Sequence, residues 1–147
     1  MVPEFDGDGN LPPGVHQATW DEIVSRFGAT AYRQWLLQGL RAALEMLARA
    51  GCQMVYLDGS FVTAKAIPGD YDACWDSQGV NPALLDPIIL SFANSRAAQK
   101  LKYRGEFFIA GWREQSSGRL FLEFFQVDKD TTKPKGIVAI DLKGLNP

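Results

Sequence analysis

The stretch Val55–Asp76 constrains the fold of this chain more than any other, because it joins two strand-like apolar runs through a short, broken connection. Gln53–Leu57 predicts the first strand and Tyr71–Trp75 the second. Between them, Phe61–Ala66 has room for one or two helical turns, and the Pro-Gly pair that begins at Pro68 is a turn signal. The stretch therefore predicts a strand, a short helix and a second strand.

Two aspartates at the start of the second strand are the first candidates for chemistry. A single residue, Tyr71, separates Asp70 from Asp72, and residues i and i+2 of a strand point to the same face of the sheet. Neighbouring carboxylates disfavour each other's ionisation, so a protein that keeps such a pair usually supplies a cation or a shared proton. Oxygen ligands of this kind suit Mg²⁺, which also accepts phosphate oxygens from a substrate.

Gly59 and Ser60 form the junction between the first strand and the short helix. Glycine lets a phosphate approach the backbone closely, because it has no side chain. The amides at the helix start and the Ser60 hydroxyl can then hold that anion. The pair is therefore a candidate phosphate-binding element.

Together these residues resemble the signature of the polymerase-beta-like nucleotidyltransferase superfamily: Gly59-Ser60, a gap of nine residues, and then Asp70-Tyr71-Asp72-Ala73. The likeness covers about 20 of the 147 residues. Asp58 departs from the pattern, since the family usually has an apolar or neutral residue there. The alternative is a β-turn-β element whose two aspartates are exposed.

The resemblance implies an activity and a set of roles. An acceptor hydroxyl on RNA, protein or a small molecule would attack the α-phosphate of an NTP, with ATP the favoured nucleotide, and pyrophosphate would leave. Asp70 and Asp72 would hold one or two Mg²⁺ (or Mn²⁺) ions, and Gly59 and Ser60 the terminal phosphates. Lys65, at the far end of the short helix, would reach a phosphate only by folding back; the alternative is an exposed lysine.

A third carboxylate is implied as well, because the superfamily takes one from a later strand beside the acidic pair. Glu123 is the first candidate, with Glu106 second. Glu123 lies in Arg119–Val127, a predicted strand whose other residues are mostly large and apolar. A carboxylate in such a run is costly to bury unless it is paired or binds a metal. The alternative is a Glu123 that faces solvent.

The flanking segments predict helices before the motif and strands after it. Thr19 and Glu22 form a capping box that predicts a helix over Trp20–Phe27. A long helix from Ala31 to about Ala50 carries an apolar stripe of Leu36, Leu40, Leu44 and Leu47, widened by Trp35, Ala43 and Met46. Four charged residues are expected on its opposite, solvated face: Arg33, Arg41, Glu45 and Arg49.

Further along, Asn81-Pro82 predicts a helix that Pro87 kinks or splits. Ser95–Tyr103 is the most basic segment; it would contact triphosphate or RNA, or simply be a charged exposed face. Two more strands are expected at Glu106–Trp112 and Ile137–Leu142. We therefore predict an α+β, minimal nucleotidyltransferase-like fold: a mixed β-sheet with helices packed mainly on one face.

Length and composition set the remaining limits. The 147 residues predict a single domain, 1–147, in which 1–14 is a loosely ordered arm. The net charge of −2 argues against a protein that binds nucleic acid mainly through bulk charge. No apolar run approaches the length of a membrane span. The two cysteines predict buried, reduced thiols in a cytoplasmic protein.

Two further interpretations stay open. A nucleotidyltransferase-like protein that no longer transfers would bind a nucleotide or a partner protein, and Asp58 favours this alternative. A small α+β interaction domain with incidental aspartates is the other. Single-domain members of the superfamily are often found in bacterial toxin–antitoxin and phage-defence modules, so the resemblance implies that setting.

Overall fold

One five-stranded mixed sheet organises the computed structural model, which describes residues 2–145. The strands are β1 (Gly14–Gln17), β2 (Met54–Asp58), β3 (Tyr71–Trp75), β4 (Gly105–Ile109) and β5 (Gly136–Asp141). Their order in the sheet is β1-β5-β2-β3-β4, with parallel pairing at both edges and antiparallel pairing in the centre. The helices are α1 (Trp20–Phe27), α2 (Ala31–Arg49), α3 (Ala93–Tyr103) and α4 (Phe121–Phe124). The predicted α+β class with a mixed sheet is confirmed. The ends of the predicted domain, 1 and 146–147, lie outside the described residues.

The first two helices form where their caps predict. Thr19 accepts a hydrogen bond from the Glu22 amide, and the Glu22 carboxylate accepts one from the Thr19 amide, so the capping box is complete. Thr30 caps α2 by accepting from the Arg33 amide. The apolar stripe of α2 is buried as predicted: Leu36, Leu40, Leu44 and Leu47. Through this stripe, α2 packs against the core residues of the sheet.

Two residues of α2 lie opposite to their predicted positions. Trp35, predicted to widen the apolar stripe, is 46% exposed and stacks on Tyr32. Arg33, predicted on the solvated face, is only 6% exposed. It precedes Leu36 and Leu37 by three and four residues, which is the helical spacing of the buried face, and its guanidinium finds backbone acceptors there.

The prediction of a strand over Arg119–Val127 is wrong, because this segment contains the short helix α4. A run of mostly large apolar residues lacks the alternation that distinguishes a strand. In a helix, Phe121 and Phe125 lie one turn apart, and both rings pack 4.9 Å from Phe108. These rings join Cys74 and Ile137 in a second, smaller apolar cluster.

The predicted helix after Asn81 is split, and two 3-10 turns, Pro82–Leu84 and Pro87–Leu90, stand in its place. Both cysteines are buried and unpaired. Among residues 2–145, no helix combines the length and the apolar character needed to cross a membrane.

The segment expected to be a loosely ordered arm is packed onto the domain over its described part. Val2 and Leu11 are buried and belong to the main core cluster, and the Leu11 carbonyl accepts a hydrogen bond from the Gly136 amide at 3.0 Å. The Gly9 carbonyl accepts a hydrogen bond from the Ala64 amide at 2.8 Å. Asn10 Nδ2 donates to the Asp128 carboxylate at 2.9 Å. The arm therefore bridges two loops that are remote from it in sequence.

Leu44→Ala is expected to lower the free energy of unfolding by about 2–5 kcal/mol, since it empties a site that is fully buried between α2 and the sheet. Chemical denaturation of the variant and the wild type measures this difference. The matched control is Leu101→Ala on α3, where the side chain is 88% exposed and the change should stay within about 0.5 kcal/mol. Equal effects at the two leucines would contradict the assignment of the core.

Candidate functional site

Three carboxylates form a row across the neighbouring strands β2, β3 and β4. Asp58 of β2 pairs in register with Asp72 of β3, and Asp72 pairs with Glu106 of β4. Directly opposed residues of neighbouring strands project from the same face. The row therefore lies on the face that also carries Cys74 and Phe108, opposite to the face that packs against α2.

Asp70 adds a fourth carboxylate beside this row. One carboxylate oxygen from each of Asp70, Asp72 and Glu106 lies within 4.8 Å of the other two. The prediction that Asp70 and Asp72 project to one side is thereby confirmed. We call these three residues the acidic triad; oxygen donors at such separations match the ligand chemistry of Mg²⁺ or Mn²⁺.

Glu106, the second candidate, takes the place in the triad that Glu123 was predicted to fill. Glu123 is exposed on α4, and its side chain accepts a hydrogen bond from the Leu120 amide at 3.4 Å. The prediction rested on a strand that is not formed, so the structure does not bring Glu123 to the pair. The register between β3 and β4 places Glu106 there instead.

Burial, and more negative charge than the nearby cations neutralise, raise the pKa values of two members of the acidic triad. Burial, and then the charges of Asp58, Asp70 and Glu106, raise the pKa of Asp72 to about 7. Burial and the Glu106 charge also raise the pKa of Asp70. Lys100 partly offsets this charge, since its Nζ lies 3.1 Å from Glu106 Oε1. A bound divalent cation would favour the ionised form of Asp70 and Asp72.

Gly59 brings the backbone against the triad. Its φ of 85° is in the left-handed region that favours glycine, and a Cβ atom there would lie 2.7 Å from Asp72 Oδ2. Ser60 follows as the first residue of a 3-10 turn, Ser60–Val62, which replaces the longer predicted helix over Phe61–Ala66. The Gly-Ser junction thus adjoins the carboxylates, as the sequence predicts.

Arg33 fixes the loop that follows this junction, and the sequence interpretation missed its role. Its guanidinium donates at 2.7 Å to the carbonyls of Phe61 and Lys65, and at longer distance to those of Phe27 and Thr63. The planar guanidinium has five donors in a rigid arrangement, which lets one side chain hold several carbonyls. The spacing of Arg33 to the leucine stripe was the signal that could have found it.

An open cleft of about 540 Å³ contains these groups. The triad and Ser60 line it, together with the aromatic residues Phe108, Phe124 and Phe125. Three lysines of the described chain also line it: Lys65, Lys129 and Lys135. Lys65 is exposed, and the structure fixes its carbonyl through Arg33 rather than its ammonium.

The basic segment at α3 is engaged with the protein itself. Lys100 pairs with Glu106, and Lys102 pairs with Asp86. Arg96 Nε donates to the Phe107 carbonyl at 3.1 Å, and the Arg104 guanidinium donates to the Trp35 carbonyl. These cations therefore secure α3 against its neighbours, which leaves the cleft lysines as the better candidates for contacts with an anion.

The fold and site define an α+β domain that gathers carboxylates from neighbouring strands beside a Gly-Ser turn. The chain belongs to the family described as "Family of unknown function (DUF6932)", whose model matches residues 3–141. Searches among curated proteins and among solved structures returned no match.

If the acidic triad holds Mn²⁺, binding is expected to strengthen about tenfold between about pH 6 and pH 8, because the metal would displace the proton that Asp72 holds with a pKa of about 7. Isothermal titration at a series of pH values measures the change. In Asp72→Asn the same titration should show a weaker dependence over this range. A wild-type affinity that is independent of pH would contradict a protonated Asp72.

Proposed function

We propose that this chain is a metal-dependent nucleotidyltransferase, which moves a nucleoside monophosphate from an NTP, with ATP favoured, to an acceptor hydroxyl on RNA, protein or a small molecule. The observation that carries the proposal is the meeting of Asp70, Asp72 and Glu106 beside Gly59-Ser60. It supports the proposal because a carboxylate cluster and a phosphate-binding turn are the two parts that this chemistry needs.

Each part has a role in the proposed reaction. The acidic triad would hold Mg²⁺ or Mn²⁺, which when bound neutralises charge on the phosphate oxygens. Gly59 and Ser60 would hold the terminal phosphates. The acceptor oxygen bonds to the α-phosphorus while the bond to the bridging oxygen breaks. Pyrophosphate leaves with that electron pair, and the hydroxyl proton passes to a carboxylate or to water.

Transfer of label from α-labelled NTPs tests this proposal. The purified chain is incubated with Mn²⁺, each of the four NTPs, and total RNA, a protein mixture or small-molecule hydroxyl compounds as acceptors. Incorporation of label with stoichiometric release of pyrophosphate is the expected result. Release of phosphate without incorporation, or no reaction with any acceptor, would contradict transfer.

Glu106→Gln is expected to weaken Mn²⁺ binding by about tenfold or more. Glutamine keeps the shape of the glutamate side chain but removes one negative charge from the proposed metal ligands. Glu123→Gln is the matched control, since Glu123 is exposed on α4. It should bind Mn²⁺ within about twofold of wild type. Titration of both variants decides between the two glutamates; the reverse ranking would return Glu123 to the site.

A second candidate function is a nucleotidyltransferase-like protein that binds a nucleotide or a partner protein without transfer. The ion pair between Lys100 and Glu106 favours it, because the Lys100 ammonium already neutralises the charge of one member of the triad. Binding of Mn-ATP without any label transfer would support this candidate. In that case Lys100→Met should strengthen Mn²⁺ binding, since Glu106 would be released.

A further inference from the structure

Asp58 and Lys135 form an ion pair at the wall of the cleft. Lys135 Nζ lies 3.3 Å from Asp58 Oδ1, and the two side chains are 18% and 3% exposed. Asp58 is in register with Asp72, so the pair continues the row of carboxylates. Asp58 departs from the superfamily pattern. Its charge is matched by Lys135, which immediately precedes β5, the other strand that pairs with β2.

Lys135 is anchored at its backbone as well as at its tip. Its amide donates to the Gln126 carbonyl at 2.9 Å, and the next residue begins β5. Lys129, by contrast, is exposed on the loop that precedes it. Of the three lysines that line the cleft, Lys135 is thus held by a backbone hydrogen bond and an ion pair, and the other two are exposed.

A lysine held in this way keeps donors for a ligand. An ammonium group has three N–H donors, and the 3.3 Å contact with Asp58 Oδ1 is an ion pair without hydrogen-bond geometry. Lys135 also lines the same cleft as Ser60 and Asp72, where the surrounding carboxylates would repel an anion. An anionic ligand in this cleft therefore needs a fixed positive group in addition to any bound metal.

We propose that Lys135 binds the phosphate oxygens of the nucleotide and that Asp58 is the residue that positions it. This inference rests on the proposed function and replaces Lys65 as the principal phosphate-binding lysine. It gives the charge at Asp58 a purpose, since a buried carboxylate directs the ammonium into the cleft instead of toward solvent. It also extends the site to the residue that immediately precedes β5, a part of the chain that supplies none of the triad.

Binding of ATP in the presence of saturating Mn²⁺ tests the role of Lys135. Lys135→Met should weaken ATP binding by about tenfold or more, which is the value of one charge-assisted hydrogen bond. Lys135→Arg keeps a cation and should stay within about threefold of wild type. Lys133→Met, on the exposed loop nearby, is the control for the same change in net charge and should have little effect. Circular dichroism and Mn²⁺ titration verify that each variant is folded and retains its metal site.

The sign of the effect at Asp58 separates positioning from simple repulsion. If Asp58 only repels the anion, Asp58→Asn will bind ATP more tightly than wild type, and the positioning role is overturned. If it positions Lys135, Asp58→Asn will bind ATP more weakly. That loss should disappear when Lys135 is already methionine, because the two side chains act through one contact.

The outcomes distinguish this inference from the proposed function. Wild type that binds Mn-ATP while Lys135→Met binds it equally well leaves the proposed function standing and overturns the role of Lys135. Wild type that binds neither Mn²⁺ nor Mn-ATP overturns both. Adenosine, which lacks phosphates, is the ligand control, and its binding should not respond to Lys135→Met.

Discussion

If the chain carries out the proposed nucleotidyl transfer, Asp72→Asn is expected to abolish most of it and at the same time to stabilise the metal-free protein. Loss of a central ligand removes stabilisation of several kcal/mol from the transition state, so the rate should fall on the order of 1,000-fold. The folded protein without metal should gain stability, because asparagine removes a largely buried charge that three neighbouring carboxylates oppose. Label transfer and thermal melting in EDTA measure the two effects on the same samples.

The stability effect has a definite dependence on pH. The pKa of Asp72 is about 7 in the folded protein, whereas an unfolded aspartate titrates near its ordinary value of 3.8. Between these values the folded state holds the proton more tightly, so wild type without metal loses stability as pH rises from about 4 to about 7. The gain from asparagine should therefore be small near pH 4 and largest above pH 7. A variant that is less stable than wild type above pH 7 would contradict this account.

Arg33→Met is expected to lower the free energy of unfolding by about 2–4 kcal/mol, because it leaves buried carbonyl groups without donors. The same change should weaken ATP binding at saturating Mn²⁺ by about tenfold or more, since the loop after Ser60 loses its anchor. Mn²⁺ affinity should change little, because the triad lies on other elements. Denaturation and titration measure the three quantities.

Two control variants isolate the contribution of Arg33. Arg49→Met removes an exposed arginine from the same helix and should stay within about 0.5 kcal/mol of wild type. Arg33→Lys keeps the charge but replaces the two terminal nitrogens, which donate separately to the Phe61 and Lys65 carbonyls, with a single nitrogen. It should therefore resemble Arg33→Met more than wild type. Full stability in Arg33→Lys would mean that charge alone matters at this position.

Local spacing was sufficient to predict the centre of the candidate site. Asp70 immediately precedes β3 and shares a side with Asp72, as the alternation of an extended chain predicts, and Gly59-Ser60 adjoins them because the connection is short. The leucine stripe of α2 was equally visible, since its period belongs to the helix itself. These features depend on residues that are close in sequence, where the pattern determines the geometry.

The remaining members of the site depend on pairing between distant segments. Glu106 meets Asp72 only through the parallel register of β3 and β4, which no local pattern specifies. Glu123 stood in an aromatic run that fits a strand or a helix turn, and the packing of Phe121 and Phe125 on Phe108 decided in favour of the helix. Lys135 reaches Asp58 because β5 lies beside β2, although the two residues are far apart in the chain.

The docked arm has a consequence for the order of folding. Its contact between Asn10 and Asp128 spans a sequence separation of 118 residues, and Gly9 closes a further long loop at Ala64. Contacts between residues so distant in sequence offset the entropy cost of closing the loop only after the intervening chain is structured. The two loops that the arm bridges also border the cleft. We therefore expect the cleft to reach its final shape in the last kinetic phase of refolding, so that ligand binding returns after the sheet and α2 have formed.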